Sequence, residues 1–150
     1  MKCRFFEQKD LNWILETARD MFEESEWKGE VKYETEKIRK YFSSAVVNPN
    51  IFAIMALGKD DEPIGFLTGS LMTYNFSNAS YAREIDLYIV PSKRGGMTAV
   101  QMMKKFIDWA KAKGAKEVYF EPSQGVKKDF DKMAKRLNMD NISSVYRRKL

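Results

Sequence analysis

Histidine is absent from this 150-residue sequence, and cysteine occurs once, at Cys3. The lack of histidine excludes a Ser-His-Asp or Cys-His catalytic site and any metal site built on histidine. A single cysteine cannot form an internal disulfide or a zinc cluster of thiolates, so Cys3 is interpreted as a small buried side chain in an opening strand. No metal site is expected. Any chemistry must use carboxylates, hydroxyls, lysines, backbone amides or a bound cofactor.

Long hydrophobic runs are also missing. The longest, Ile51–Leu57, is far shorter than the roughly 20 residues that a membrane-spanning helix needs. The first residues, Met1-Lys2-Cys3-Arg4, are not followed by the apolar stretch of a signal peptide. We therefore expect no membrane association and a cytoplasmic location.

The composition favours one packed domain spanning residues 1–150, because 44% of the residues are apolar and 10 are phenylalanine. The net charge of +5 favours an anionic ligand without identifying it. The charges are mixed along the chain except for Arg147-Arg148-Lys149, which is interpreted as a solvated tail. A small basic nucleic-acid binder stays an alternative, but no known binding module accompanies the charge, so nucleic acid is not the expected partner.

Apolar periodicity and turn residues predict ten elements in the order βααβββαβαβ. The six-residue turn after Ile51–Leu57 is too short for a crossover helix, so the strands on either side must be antiparallel. A strand, a long helix and another strand in succession imply a right-handed crossover and a parallel pair. The class is α/β, with a mixed sheet flanked by helices. The predicted strands are Cys3–Phe6, Ile51–Leu57, Ile64–Tyr74, Ala82–Val90, Glu117–Glu121 and Ile142–Arg147. Two helices are predicted to begin at N-terminal caps on Asp10 and Thr35. Two further helices are predicted at about Met97–Lys113, with Gly114 as its C-terminal cap, and at Lys128–Leu137.

The segment 87–115 (LYIVPSKRGGMTAVQMMKKFIDWAKAKGA) is the most informative part of the chain. A strand ends at Pro91, a basic loop with Gly95 and Gly96 follows, and a long helix begins at once. Such a loop leaves backbone N–H groups free at the positive end of a helix dipole, where a phosphate or pyrophosphate can bind. A plain tight turn is the alternative. The sequence lacks the phosphate-loop and dinucleotide glycine patterns, which argues against nucleoside triphosphates and dinucleotides.

Residues 84–115 resemble the central motif of the GNAT superfamily of N-acetyltransferases, in particular its small phage and bacterial members. In that motif a strand and Val-x-Pro precede Arg/Gln-x-x-Gly-x-Gly/Ala, and a long helix ends at a glycine. Ile89-Val90-Pro91, Arg94, Ala99 and Gly114 match these positions without gaps. Met97 stands where the family usually has its first glycine, and Gly95 and Gly96 directly precede it.

The resemblance implies a fold, a cofactor and a set of binding residues. The fold is a central, mostly antiparallel sheet with a splayed parallel strand pair, flanked by helices. The co-substrate is acetyl-CoA, whose pantetheine arm lies along the strand and whose pyrophosphate lies on the loop. By position, the resemblance implies that the residues binding the pantetheine arm are Tyr88, Ile89 and Val90. It implies that the residues binding the pyrophosphate are Arg94, Gly95, Gly96, Met97, Thr98 and Ala99.

Amine acetylation needs a group that accepts the proton of the amine. Glu84 and Asp86 alternate with Ile85 and Leu87, which predicts both carboxylates on one face of the strand. Some family members use a glutamate on this strand as general base, so Glu84 is the first candidate and Asp86 the second. The alternative is that both carboxylates are simply exposed to solvent.

The family's usual general acid, a tyrosine near the end of the last helix, is replaced here by Ala134. Ser123, Tyr146 or water could protonate the leaving thiolate instead, and Tyr74 and Phe76 could line an acceptor pocket or serve the hairpin alone. The leading hypothesis is an acetyl-CoA-dependent N-acetyltransferase acting on a primary amine of a small molecule or peptide by direct attack in a ternary complex. The alternative is a CoA-binding or structural protein of this fold without turnover. A homodimer is left open.

Overall fold

The computed structural model describes residues 2–121 and 127–150. Nine main elements follow one another, and two short 3-10 turns, Gln8–Asp10 and Pro91–Lys93, precede the first and third helices. The main elements are β1 (Lys2–Phe5), α1 (Leu11–Glu24), α2 (Thr35–Val47), β2 (Ile51–Leu57), β3 (Pro63–Thr73), β4 (Ser80–Ile89), α3 (Thr98–Ala112), β5 (Val118–Tyr119) and α4 (Lys127–Arg136).

The five strands form one sheet in the order β1-β2-β3-β4-β5. The first three pairs are antiparallel and β4 pairs with β5 in parallel. This mixed sheet confirms the predicted fold class, including the parallel pair across the α3 crossover. Within the described residues the parallel pair is short: Ala82 lies opposite Val118 and Arg83 opposite Tyr119.

The sheet separates two apolar layers. Alternate residues of β2 face opposite ways, as strand geometry requires. Ile54 packs with Phe106 of α3, whereas Met55 packs with Phe42 of α2 and Ile14 of α1. Helices therefore cover both faces, and the long strand β4 lies between them near the edge of the sheet.

Two predicted helix caps differ from the structure. Asp10 stands before α1, but its carboxylate bonds to Arg4 at 2.6 Å and accepts from the N–H of Glu7 at 2.8 Å instead of capping the helix. The Asp10 carboxylate bonds to Arg4 and not to an N–H of the helix, because a charged donor makes a stronger hydrogen bond than a neutral N–H. Thr35 is the first helical residue of α2, and Glu34 occupies the cap position. Gly114 does follow α3 with a φ of +75°, as predicted for a helix end.

The predicted closing strand Ile142–Arg147 is wrong, since residues 139–150 have no regular secondary structure. Its apolar side chains find no layer to pack against: Ile142, Val145 and Tyr146 are 70%, 73% and 94% exposed. The tail is held by charge instead, because Lys149 lies 2.5 Å from Glu30 in the segment between α1 and α2. No helix in residues 2–121 and 127–150 is long and apolar enough to cross a membrane.

Candidate functional site

The loop between β4 and α3 is open and carries a run of unbonded backbone N–H groups. Gly95 has a φ of +87°, which favours glycine, and a Cβ placed on Gly96 would meet no atom within 4 Å. The N–H of Arg94 donates to the carbonyl of Pro91. From Gly95 to Ala99, by contrast, no N–H donates to an acceptor in the described part of the chain. These groups point from the N-terminus of a 15-residue helix, which is a site for an anion.

Arg136 brings a cation to this loop. The residue ends α4, and its Nη1 lies 2.9 Å from the sulfur of Met97. Its guanidinium is exposed, so it can also reach an anion bound at the loop. Sequence reasoning missed Arg136 because 39 residues separate it from Met97 and no spacing rule connects the two.

The side chain of Arg94 turns away from the loop. Its guanidinium pairs with Glu24 of α1 at 2.7 Å, donates to the carbonyl of Ile89 at 2.8 Å and lies over the ring of Tyr88. The hydroxyl of Tyr88 donates to the same carboxylate. Burial opposes ionisation of Glu24, but these two donors outweigh it and lower the pKa of this carboxyl. Arg94 therefore fastens the loop to β4 and to the end of α1.

From Glu84 to Ile89, β4 has no partner strand on its β5 side among residues 2–121 and 127–150. The N–H of Val90 donates to the carbonyl of Ile64 in β3, so by strand alternation the peptide groups of Ile89 and Leu87 point away from β3 into the gap. The carbonyl of Ile89 is already bonded to Arg94. The side chain of Tyr88 is buried, and its backbone faces β3.

Of the three residues predicted along the pantetheine arm, only Ile89 thus presents its backbone to the gap. Leu87 does so as well and was missed, because the phase of the alternation depends on pairing with β3. Tyr88 and Val90 flank the gap but direct their N–H groups to the neighbouring strand.

A β-bulge at Ile85 separates the two candidate carboxylates. Glu84 lies opposite Gly69, and Asp86 lies opposite Thr68, so Ile85 has no partner in β3. Cross-strand partners share a face of the sheet.

The prediction that both carboxylates lie on one face is therefore wrong. A Cβ on Gly69 would touch Phe106, so Gly69 and Glu84 face α3. The hydroxyl of Thr68 bonds to Tyr41 of α2, so Thr68 and Asp86 face the other layer. The bulge shifts the alternation by one residue between the two carboxylates.

Glu84 is buried and Asp86 is half-buried, and loss of solvation is the largest influence on the pKa of both. It raises the pKa of Glu84 to about 8, assisted by the negative charge of Asp86 and opposed by a hydrogen bond from the backbone of Glu121. Burial also raises the pKa of Asp86, against a hydrogen bond from Thr68. Glu84 can therefore exchange a proton near neutral pH, which suits a general base.

A short hydrogen-bonded chain leads from Asp86 to α2. The Thr68 hydroxyl donates to the Asp86 carboxylate at 3.1 Å, and the Tyr41 hydroxyl donates to Thr68 at 2.9 Å. Burial raises the pKa of Tyr41. The helical spacing of α2 predicts Tyr41 on the core face, and nothing in the sequence connects it to a carboxylate on β4.

The remaining candidates lie elsewhere. Tyr74 donates to Glu117, and Phe76 in the β3–β4 turn is fully exposed. Tyr146 is in the exposed tail. Ser123 lies outside the described residues. Among the described residues, no group of histidine, cysteine or acidic side chains is arranged to hold a metal ion.

Comparison with known proteins connects this geometry to a family. Residues 14–135 match the model of the Acetyltransferase (GNAT) family. No curated protein matches the sequence. Because the family match covers most of the chain, the protein belongs to the GNAT acetyltransferase family.

Several solved structures share the fold at low sequence identity. A predicted acetyltransferase from Clostridium acetobutylicum, solved with acetyl-CoA, is 12% identical with a TM-score of 0.75, covering 99% of this chain and 95% of its own. An aminoglycoside acetyltransferase from an uncultured soil sample, in complex with sisomicin, is 17% identical with a TM-score of 0.69, covering 99% and 96%. A ribosomal-protein-alanine N-acetyltransferase from Brucella melitensis is 11% identical with a TM-score of 0.70, covering 100% of both chains. At these identities the likeness is one of fold.

The raised pKa of Glu84 predicts that stability falls as pH rises. The folded chain keeps a proton on Glu84 up to about pH 8, whereas the unfolded chain releases it near 4.5. Between these values the free energy of unfolding decreases with pH, by at most about 1.4 kcal/mol per unit. Glu84→Gln should flatten this fall, measured by urea denaturation from pH 5 to pH 8. The exposed Glu16→Gln serves as control, and equal pH dependence in both variants would contradict the buried state of Glu84.

Proposed function

We propose that the protein is an acetyl-CoA-dependent N-acetyltransferase that acetylates a primary amine in a ternary complex. The observation that carries the proposal is the run of unbonded N–H groups from Gly95 to Ala99, at the start of α3 and beside the gap between β4 and β5. A diphosphate and an extended amide-containing arm need these two features side by side. Family membership supports the same reaction class.

The chain's own groups fit the parts of the co-substrate. The N–H groups of residues 95–99 would bind the pyrophosphate, with Arg136 as a nearby cation. The peptide groups of Leu87 and Ile89 would pair with the pantetheine arm in the gap. In this arrangement Arg94 acts through its side chain as a positioning residue, because its bonds to Glu24 and Ile89 hold the loop against β4.

Bound acetyl-CoA supplies an activated acetyl thioester. Attack of the acceptor nitrogen on the thioester carbonyl forms the C–N bond and breaks the C–S bond, which releases the CoA thiolate. Glu84, in its ionised form, takes the proton that the nitrogen loses, directly or through a water molecule. Burial keeps the pKa of Glu84 high, and the negative charge of Asp86 raises it further. Water protonates the thiolate, since Ala134 stands where the family usually has a tyrosine.

A second function, CoA binding without turnover, is favoured by two specific departures from the family pattern. Ala134 lacks the hydroxyl of the usual acid, and Met97 replaces a glycine in the loop. Mixing the protein with acetyl-CoA and a panel of amines and measuring free thiol separates the two functions. Tight CoA binding with thiol release no faster than background would favour the second.

We propose that the acceptor is an amine of a small molecule or a peptide. The solved relatives include an enzyme crystallised with sisomicin and another named for ribosomal-protein alanine. Both kinds of acceptor carry amines, so the fold accommodates either class.

Gly96→Glu should weaken CoA binding by more than about tenfold, which corresponds to about 1.4 kcal/mol. The new carboxylate lies among the N–H groups and repels a diphosphate. The fold should survive, because the position is open. Isothermal titration with CoA measures the affinity, and the melting temperature checks the fold. Gly96→Gln is the matched control of equal size and should bind CoA better than Gly96→Glu. Unchanged binding by Gly96→Glu would show that the loop is not the pyrophosphate site.

Glu84→Gln should lower kcat/KM by roughly 100-fold, within the range that general bases contribute. In the unmodified protein kcat/KM should rise with pH through about 8, as Glu84 loses its proton. The variant should lose this limb, and Asp86→Asn should move it to lower pH because a like charge is removed. The thiol-release assay from pH 6 to pH 10 measures all three profiles. A profile that is the same in Glu84→Gln as in the unmodified protein would remove Glu84 from the role of base.

A further inference from the structure

Three tyrosine rings surround one carboxylate at the end of the sheet where β4 begins. The ring of Tyr81 lies between those of Tyr74 and Tyr119, with centroid distances of 5.0 Å and 5.3 Å. The hydroxyls of Tyr74 and Tyr119 both donate to Oε2 of Glu117, at 2.5 Å and 2.8 Å. We call these four side chains the tyrosine cage.

The backbone holds each member of the tyrosine cage in place. Tyr74 ends the β3 hairpin, where its N–H donates to the carbonyl of Ala79. The carbonyl of Glu117 accepts from the N–H of Ala82, which fixes the start of β5. Tyr81 and Tyr119 lie on these paired strands. The cage is therefore preorganised before any ligand arrives.

The tyrosine cage is accessible and carries a persistent negative charge. Tyr74, Tyr81 and Tyr119 are partly exposed, and Glu117 is exposed. The hydrogen bonds from Tyr74 and Tyr119 lower the pKa of Glu117, so the carboxylate stays ionised at neutral pH. In residues 2–121 and 127–150 no cation pairs with Glu117. The nearby Arg83 is neutralised by Glu121.

This chemistry matches an organic ammonium group. Aromatic ring faces attract a cation within about 6 Å of the ring centroid, and a carboxylate adds direct charge attraction. An anion would be repelled by Glu117, and a neutral apolar group would gain nothing from the carboxylate. The combination of rings and one charge is therefore selective for a cation with an apolar body.

The position of the tyrosine cage relates it to the acetylation site. Tyr81 lies three residues before Glu84 on β4, a distance of about 10 Å along a strand. By strand alternation the two side chains face opposite sides of the sheet, Glu84 toward α3 and Tyr81 away from it. Among the described residues the pairing of β4 with β5 ends at Arg83, between the two positions. A ligand held at the cage would thus reach the side of Glu84 by passing through the gap beyond this pairing.

We propose that the tyrosine cage binds an ammonium group of the acceptor, so that the acceptor is a diamine or polyamine whose second nitrogen is acetylated about 10 Å away. The role in acceptor binding rests on the proposed transferase function, whereas cation binding by the cage does not.

The test uses the whole protein without acetyl-CoA. The aromatic NMR signals of 13C-labelled tyrosine are followed during titration with octamethylenediamine and, separately, with octamethylene glycol, which has the same length and no charge. The signals of Tyr74, Tyr81 and Tyr119 should move with the diamine and stay in place with the glycol. Equal movement with both probes, or none with the diamine, would overturn the proposal.

Variants check that the cage itself binds the probe. Tyr81→Leu and Glu117→Gln should each weaken diamine binding about threefold, in line with exposed cation–π and ion-pair interactions. Tyr81→Phe keeps the ring and should bind as before, which separates loss of binding from loss of fold. Tyr146→Leu in the exposed tail is the matched control. Diamine affinity unchanged in both Tyr81→Leu and Glu117→Gln would contradict the assignment.

A separate assay distinguishes this inference from the proposed function. Thiol release from acetyl-CoA is measured with octamethylenediamine as acceptor. Thiol release above background, with a KM for the diamine that is higher in Tyr81→Leu than in the unmodified protein, supports the acceptor role. Diamine binding at the cage without thiol release, in a protein that releases thiol with other amines, would contradict the acceptor role while the cation site stands. Release with no amine would contradict the proposed transferase function instead.

Discussion

The structure depends on where β4 leaves its parallel partner. In the described part of the chain β5 pairs with β4 over two residues, and from Glu84 onward β4 keeps its β3 partner while no described strand pairs with its other edge. An open edge inside a sheet exposes peptide groups that need partners, and burying them unpaired costs free energy. A bound chain with amide groups of its own can provide them. The gap, the loop and the carboxylates all lie along this one strand.

Because of the bulge at Ile85, the two carboxylates of β4 face opposite sides of the sheet. Glu84 is turned toward the α3 layer and Asp86 toward the α2 layer, yet they are close enough for the charge of one to raise the pKa of the other. Keeping both in a poorly solvated place costs stability at high pH. That cost is characteristic of groups retained for chemistry, because a neutral pair would fold more easily.

Local patterns predicted the elements well and long-range partners poorly. The strand Ile51–Leu57 and the loop before α3 can be predicted from the sequence, because periodicity and turn residues act over a few positions. The bulge at Ile85 cannot be predicted in this way, because it depends on pairing with β3. Nor could the partner of Arg94, which is Glu24 of α1, or the partner of Asp86, which is Thr68 of β3, be predicted from local patterns. The closing strand failed because alternation alone cannot supply an apolar layer.

Binding of a diphosphate by the backbone N–H groups before α3 can be observed by amide NMR during titration with CoA, since each N–H of residues 95–99 gives its own signal. We expect large downfield shifts of these amides, saturating together with one affinity, while amides of the exposed tail stay unchanged. Saturation of the protein with CoA without any movement of the signals of residues 95–99 would show that the loop does not bind the diphosphate.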